Sequence, residues 1–192
     1  ENAPRMEQHR GRPSSYGMQD ANLLFSLLKI RRGDRFADLG CGLGLYAQHA
    51  AHLVGPEGQV YALDRGEDNL LPLKKDIEEK HLDNITPLIA DLSQRLPIED
   101  HTMDHALLAT VLHALPESVR ESLFQEVHRI LKPTGQLIIL EIKKEELGFG
   151  PPMHRRISPK ELEVMAARRH FKLAGGAAYS YSYVRVFLAS CP

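Results

Sequence analysis

Short apolar runs alternate with longer segments of helical periodicity along most of this 192-residue chain. The first helical pattern begins after Asp20, a good capping residue, and we predict that it ends before Gly33. Its apolar positions are Leu23, Leu24, Leu27, Leu28 and Ile30. Beyond it, the pattern predicts strands at 35–39, 59–63, 85–90, 103–109 and 136–142. Helices are predicted at 45–54, 67–80 and 116–131. This alternation, with continuous apolar runs such as 137–140, indicates a parallel sheet covered by helices on both faces.

The end of the chain shows a different pattern. Ser158, Pro159 and Glu161 form a capping-box sequence that opens a helix reaching about His170. Two β-rich segments follow, 171–179 and 183–189, and the three residues between them allow only antiparallel pairing.

The first 19 residues contain several prolines and glycines and show no sustained period. We predict that residues 1–19 form an N-terminal arm that can act as a lid. The remaining chain shows no internal repeat or linker, so we expect residues 1–192 to form a single domain.

A glycine-rich loop follows the first predicted strand. Its residues, Asp38-Leu39-Gly40-Cys41-Gly42-Leu43-Gly44, lie between an apolar run and an Ala-rich helix. Glycine accepts positive φ and has no Cβ, so the backbone of such a loop can come very close to a ligand. The loop therefore predicts a small-molecule site.

Two ligand classes fit a strand, a glycine loop and a helix. Gly42, Gly44 and Ala47 satisfy the dinucleotide pattern GxGxxG/A, and Asp64 stands twenty residues after Gly44. That pattern would seat a pyrophosphate at the helix N-terminus. The carboxylate of Asp38, two residues before the first glycine, would repel a pyrophosphate and favours a cationic ligand instead.

The loop resembles the D-x-G-x-G-x-G signature of class I S-adenosylmethionine-dependent methyltransferases, and the resemblance extends from about residue 20 to the end. Residues 55–64 and 128–135 resemble the small-molecule enzymes related to the ubiquinone and menaquinone biosynthesis C-methyltransferases. The longer C-terminal signatures of the quinone enzymes are not recognisable, so quinone methylation is not carried over. The resemblance implies an α/β, three-layer Rossmann-like fold whose mostly parallel seven-stranded sheet ends in an antiparallel hairpin.

The resemblance also implies a cofactor, S-adenosyl-L-methionine, and the residues that bind it. Asp64 matches the family carboxylate that binds both ribose hydroxyls, and Asp91 with Leu92 matches the adenine position. The expected cofactor-binding residues are Asp38, Gly40, Cys41, Gly42, Gly44, Tyr46, Asp64, Arg65, Asp91, Leu92 and Thr110. Structural alternatives remain open: Asp64 as a helix cap, Asp91 in its own Asx turn, and Tyr46 as a packing residue.

The expected acceptor pocket lies at the carboxyl ends of the strands, where open α/β sheets bind their ligands. Its candidate residues are Tyr16, His113, Glu141 and His154. His113 is the candidate general base, because its ordinary pKa suits proton transfer near neutral pH; the alternative is a cap or packing residue. The basic residues between 143 and 156 favour either an anionic acceptor or a solvated surface.

Composition and charge narrow the possible partners, location and metal content of the protein. The chain is 43% hydrophobic and 26% charged with a net charge of -1, which is ordinary for a globular protein. Scattered Lys and Arg disfavour nucleic acid as a partner, and no apolar run approaches the roughly 20 residues of a membrane span. Cys41 and Cys191 are distant in sequence, which argues against a disulfide and for the cytoplasm. Ten histidines occur without HExxH or CxxC spacing, so no metal site is predicted.

These observations predict a cytoplasmic S-adenosylmethionine-dependent methyltransferase that acts on a small-molecule acceptor. Two alternatives remain, a nicotinamide-dependent oxidoreductase and a non-catalytic S-adenosylmethionine-binding module.

Overall fold

The computed structural model describes residues 14–18 and 20–190, and this part of the chain forms one seven-stranded sheet flanked by five α-helices. The strands are β1 (Arg35–Leu39), β2 (Gln59–Asp64), β3 (Ile85–Ile89), β4 (Met103–Ala109), β5 (Leu131–Ile142), β6 (Phe171–Ala178) and β7 (Ser182–Ala189). The helices are α1 (Ala21–Ser26), α2 (Leu45–Val54), α3 (Glu67–Lys80), α4 (Glu117–Ile130) and α5 (Pro159–Ala167). Short 3₁₀ turns occur at Ser15–Gly17, Leu112–Ala114 and Met153–Arg155.

The sheet has the strand order β3-β2-β1-β4-β5-β7-β6. Strands β1 to β5 pair in parallel, and β7 runs antiparallel between β5 and β6. The chain order reverses beside β1, because β2 lies on one side of it and β4 on the other. A crevice at the carboxyl ends of the strands is expected at such a reversal. The predicted three-layer architecture and terminal antiparallel hairpin are confirmed.

Two apolar cores cover the two faces of the sheet. Successive residues of β1 alternate between them, Phe36 towards α1, α2 and α3 and Ala37 towards α4 and α5. Both residues are fully buried. By the same alternation, Asp38 lies on the α2 face, where the N-terminus of that helix approaches the end of β1.

The first helix is shorter than its apolar pattern predicts. It ends at Ser26, and the N–H groups of Leu27 and Leu28 bond three residues back. The next free donor, the N–H of Lys29, bonds the side-chain oxygen of Gln136 at 3.0 Å. The chain leaves the helix because a residue on β5, 107 positions away, takes that donor.

The arm is described only from 14 to 18, so the predicted behaviour of residues 1–13 and 19, and of Cys191, lies outside the described residues. Within the described part, no helix combines the length and the apolar content needed to cross a membrane.

Candidate functional site

A cleft opens at the carboxyl ends of β1, β2 and β4, where the sheet reverses its order. Seven residues predicted from the sequence line it: Asp38, Gly40, Cys41, Gly42, Tyr46, Asp64 and Thr110. Five further residues, which the sequence did not indicate, complete the lining: Ser14, Ser15, Leu43, Asn69 and Ala109.

The glycine loop is shaped for close approach of a ligand. Gly40, Gly42 and Gly44 have φ of 78°, 52° and 71°, a region that side chains rarely adopt. A Cβ on Gly40 would lie 2.8 Å from Val111 Cγ2, and one on Gly44 would lie 2.6 Å from Leu73 Cδ1. At Gly42 a Cβ would meet no protein atom within 4 Å, so this glycine leaves free space facing the cleft.

Asp38 brings a buried charge to this loop. Asp38 is 1% exposed, and neither of its carboxylate oxygens has a hydrogen-bond partner among the described residues. Burial raises the pKa of Asp38 to about 7, with a smaller contribution from the nearby Asp64 carboxylate. The backbone N–H of Ala47, in the first turn of α2, lies near the carboxylate and lowers the pKa, although it does not reach hydrogen-bond geometry. A buried, unpaired carboxylate that faces a cleft is a binding position for a cation.

Asp64, at the end of β2, is held by three donors. One oxygen accepts the N–H of Gly42 at 3.0 Å, and the other accepts the N–H of Gly66 at 3.0 Å. The second oxygen also accepts the amide of Asn69 at 2.8 Å. Asp64 therefore orders the turn into α3, as the cap alternative expected, and also fixes the glycine loop. A carboxylate has about four lone-pair sites, so acceptor capacity remains for a ligand hydroxyl.

Asn69 is a site residue that sequence reasoning missed. The only available signal was its place in the first turn of α3, five residues after Asp64.

Cys41 lies in the cleft but is not poised for nucleophilic chemistry. Burial raises the pKa of its thiol, and the carboxylates of Asp38 and Asp64 raise it further. The thiol therefore stays protonated, and only a thiolate is a good nucleophile.

The described end of the arm lies beside the cleft. Ser14 and Ser15 line it, and the Ser15 hydroxyl is 3.4 Å from the hydroxyl of Tyr46. Tyr16, expected in the acceptor pocket, packs edge-on against Tyr46 with ring centroids 5.0 Å apart. Its hydroxyl is 2.9 Å from His49 Nδ1 on α2. Tyr16 thus attaches the arm to α2 and does not itself line the cleft.

Asp91 and Leu92, expected at the adenine end, and Arg65, expected to bind the cofactor, are not among the residues that line this cleft. Asp91 is exposed, and its carboxylate accepts the N–H of Ser93 at 2.8 Å in an Asx turn. Leu92 is buried near Gly40, and Arg65 is exposed.

His113 and Glu141 form a pair at the same edge of the sheet. His113 Nδ1 donates to Glu141 Oε2 at 2.8 Å, and Glu141 Oε1 accepts the backbone N–H of Leu112 at 2.8 Å. The Glu141 side chain is 1% exposed and that of His113 is 18% exposed. The Glu141 carboxylate is buried and hydrogen-bonded to His113 and Leu112. It therefore does not form an open wall of the acceptor pocket, where the sequence predicted it.

The basic loop after β5 is largely engaged with the protein itself. Arg156 is buried, and its guanidinium donates to four backbone carbonyl oxygens, those of Lys143, Glu145, Phe149 and Pro151. Lys144 pairs with Glu161 at 2.7 Å. His154 is exposed on a 3₁₀ turn, outside the cleft lining. Among the described residues, no group of three His, Cys, Asp or Glu side chains is arranged to hold a metal ion.

Comparison with known proteins identifies the class of this fold and site. Residues 36–135 match the family described as methyltransferase domain, which spans the glycine loop, Asp64, Asp91 and His113. The chain belongs to this methyltransferase domain family.

Individual relatives agree with the family match. The chain is 32% identical over 123 residues to a demethylmenaquinone methyltransferase of Geobacillus kaustophilus, covering 64% of this chain and 51% of that protein. It therefore spans about half the length of the curated relatives it matches.

Solved structures show the same fold over nearly the whole chain. A SAM-dependent methyltransferase from Aquifex aeolicus superposes with a TM-score of 0.83 at 25% identity, covering 92% of this chain and 93% of that one. The cyclase SpnF superposes with a TM-score of 0.79 at 17% identity, covering 97% and 86%, and shows likeness of fold alone.

The family and the Aquifex aeolicus structure imply S-adenosylmethionine as the cofactor, and the residues that line the cleft fit it. A sulfonium or ammonium cation suits the unpaired Asp38 carboxylate, and the free space at Gly42 admits a ligand against bare backbone. A pyrophosphate would meet the Asp38 and Asp64 carboxylates instead, which disfavours the dinucleotide alternative.

Proposed function

We propose that this chain is an S-adenosylmethionine-dependent methyltransferase that acts on a small-molecule acceptor. The observation that carries the proposal is Asp38, a buried carboxylate without a protein partner that faces the glycine loop. Keeping such a group ionised is costly unless a cation pairs with it. The cysteine usage supports placing the activity in the cytoplasm.

Each part of the site has a proposed task. Asp38 balances the positive charge of the cofactor, Gly42 lets it approach the backbone, and the remaining acceptor site of Asp64 takes a hydrogen bond from a ribose hydroxyl. Asn69 holds the Asp64 carboxylate in place. When bound, the cofactor supplies an electrophilic methyl group on sulfur, so the protein has mainly to position the acceptor and exclude water.

The remaining sequence predictions enter as proposals too. Gly40, Gly44, Cys41, Tyr46 and Thr110 shape the binding surface. At the adenine end we propose Asp91 and Leu92, with Arg65 as a further cofactor-binding residue. In the acceptor region we propose Tyr16, His113 and His154, with His113 as the general base.

The acceptor class rests on the relatives. Their name, demethylmenaquinone methyltransferase, supports a small organic acceptor. Because the match covers about half of their length and the quinone enzymes' C-terminal signatures are not recognisable in this sequence, the proposal is a small molecule and not a quinone in particular.

Calorimetric titration with S-adenosylmethionine and with S-adenosylhomocysteine tests the cofactor site. We expect saturable binding of both, and Asp64→Asn should weaken it at least tenfold because an ionic acceptor contributes roughly 1.5–3 kcal/mol per hydrogen bond. The matched control is Asp83→Asn, an exposed carboxylate just before β3, at the amino end of the sheet. A folded protein that binds neither compound would refute the proposal.

Turnover separates an enzyme from a non-catalytic binding module. Transfer of labelled methyl from the cofactor to any member of a broad acceptor panel supports the enzyme. If the protein binds the cofactor and transfers no methyl to any acceptor, the module is favoured. Binding of NADH with a fluorescence change would favour the oxidoreductase.

A further inference from the structure

Asp38 lines the cleft from an apolar position in the sheet. Its neighbours on the adjacent strands are Ala62 of β2 and Leu107 of β4, and both of these residues are fully buried. Neither side chain can donate a hydrogen bond to the carboxylate. Both carboxylate oxygens are buried and have no hydrogen-bond partner among the described residues. The sheet therefore holds an acidic group at a place where neither protein donors nor bulk water solvate its charge.

The groups around Asp38 do not supply a positive charge. From β2, the Asp64 carboxylate adds a second negative charge, and the Cys41 thiol of the glycine loop stays protonated. From α2 come Tyr46, which lines the cleft, and the backbone N–H of Ala47, which does not reach hydrogen-bond geometry. The other polar side chains that line the cleft are neutral, those of Ser14, Ser15, Asn69 and Thr110. None of the described lining residues is Lys, Arg or His.

A carboxyl group in such a place has two favourable states. It can bind a proton and become neutral, or it can stay ionised beside a cation that comes from outside the protein. Without cofactor the first state is favoured, because burial raises the pKa of Asp38 to about 7 with a smaller contribution from the Asp64 carboxylate. Below pH 7 the protein without cofactor therefore holds a proton on Asp38.

We propose that cofactor binding exchanges this proton for a positive charge of S-adenosylmethionine, so that the affinity for the cofactor rises with pH. The ionised carboxylate pairs with the cofactor, and the proton leaves Asp38 for the solvent. Release of the cofactor returns a proton to Asp38. The inference rests on the proposed function and adds a regulatory property to the same site, because the pH then controls how much cofactor the protein holds.

The charge that fits Asp38 is the α-ammonium group of the cofactor. An ammonium presents three N–H donors to the two buried oxygens that lack a donor, whereas a sulfonium presents none. A sulfonium in this place would balance the charge and leave both oxygens without a hydrogen bond. S-adenosylhomocysteine keeps the ammonium and lacks the sulfonium, so it should expel the same proton.

Calorimetric titration in buffers of different ionisation enthalpy counts the protons that binding releases. For S-adenosylmethionine we expect about 0.9 protons per site at pH 6 and about 0.1 at pH 8, the linkage of one group that titrates near pH 7. The dissociation constant should increase about tenfold for each pH unit below 7. These measurements use the wild-type protein, so they do not depend on the folding of a variant.

Two further ligands test which charge replaces the proton. S-adenosylhomocysteine should release as many protons as S-adenosylmethionine at each pH. Methylthioadenosine, which carries neither an ammonium nor a sulfonium, should release none, and its affinity should not rise with pH. Proton release by S-adenosylmethionine alone would overturn the assignment to the ammonium. Equal release by methylthioadenosine would overturn the charge exchange itself.

Asp38→Asn tests the source of the proton. This substitution keeps the shape of the side chain and removes the titrating group, so proton release should disappear and the affinity should no longer rise between pH 6 and pH 8. Asp83→Asn, at an exposed position at the amino end of the sheet, is the matched control and should release protons as wild type does. Release that persists undiminished in Asp38→Asn would assign the proton to another group and overturn the inference.

Infrared difference spectroscopy reports the carboxyl group directly. At pH 6, binding of S-adenosylhomocysteine should remove the C=O band of a protonated carboxylic acid, and Asp38→Asn should lack this difference band. A spectrum without the band in wild type, or a cofactor affinity that is constant between pH 6 and pH 8, would overturn the inference alone. A folded protein that binds neither S-adenosylmethionine nor S-adenosylhomocysteine at pH 8 would instead refute the proposed function.

Discussion

Asp38 is the residue at which burial and charge conflict most strongly. Its folded-state pKa of about 7 lies above the ordinary value of 3.8, because the cleft wall removes water from it. Between these two pH values the folded protein holds a proton that the unfolded chain releases. Stability is therefore lost as pH rises through this range, and the ionised carboxylate is least favourable above pH 7.

Asp38→Asn should remove this pH dependence and weaken cofactor binding. At pH 8 the free energy of unfolding without cofactor should rise by up to about 4 kcal/mol, from about 1.4 kcal/mol per pKa unit, and the gain should vanish near pH 4. Affinity for S-adenosylmethionine should fall at least tenfold because its counter-charge is lost. Urea unfolding across pH and calorimetry test both parts, and a stability change that is independent of pH would contradict the explanation.

At the residue scale, the sequence predicted the groups that line the cleft better than the residues that support them. Asp38 and Asp64 stand out because an acidic residue lies at or next to the end of each of two buried strands. Asn69 and the Glu141–His113 contact had no such signal: the atoms that meet belong to segments whose spacing in the chain carries no period. Only folding brings Glu141 within 2.8 Å of a residue 28 positions away.

At the scale of elements, the loop after β5 depends on one side chain. Arg156 is buried and donates to the carbonyl oxygens of residues 143, 145, 149 and 151. The planar guanidinium presents five donors in a fixed arrangement, whereas a lysine ammonium presents three. The sequence suggested a basic surface here, and the structure shows a buried clamp at one of its positions.

Arg156→Lys should loosen this loop selectively. We expect amide hydrogen exchange in residues 143–152 to become at least tenfold faster, with a loss of about 1–3 kcal/mol in the free energy of unfolding from unsatisfied carbonyls. Arg155→Lys, at the exposed neighbouring position, is the control and should change neither quantity. Equal exchange rates in the two variants would show that the clamp is unimportant.

Some helix boundaries are set by residues that are close in sequence, and others are set by contacts with distant residues. The capping box at Ser158 predicted the start of α5 correctly, because its hydrogen bonds join residues three apart. The end of α1 was predicted wrongly, because Gln136 on β5 takes the N–H of Lys29. Local capping by Asp20 and Ser158 marks the starts of α1 and α5, and a tertiary contact sets the end of α1.

At the scale of the whole molecule, cofactor binding and folding should be linked. The cleft joins β1, β2, β4 and the first turns of α2 and α3, so the unfolded chain offers no comparable site. S-adenosylmethionine at 100 times its Kd should raise the free energy of unfolding by about 2.7 kcal/mol, or the melting temperature by roughly 5–10 °C. Scanning fluorimetry measures this shift, and NAD⁺ at the same concentration should produce none. A larger shift with NAD⁺ than with S-adenosylmethionine would favour the nicotinamide-dependent oxidoreductase.

The sequence by itself determined the α/β class, the strand and helix order, the antiparallel end of the sheet and the cofactor loop. These features depend on residues near one another in the chain: apolar runs, a capping box, three alternating glycines after an acidic residue. The tertiary structure alone decided which carboxylate stays unpaired, that Asn69 supports Asp64, and that Glu141 holds His113. Those relations join separate strands and helices, and burial fixes them by removing water and leaving each polar group only the partners that the fold supplies.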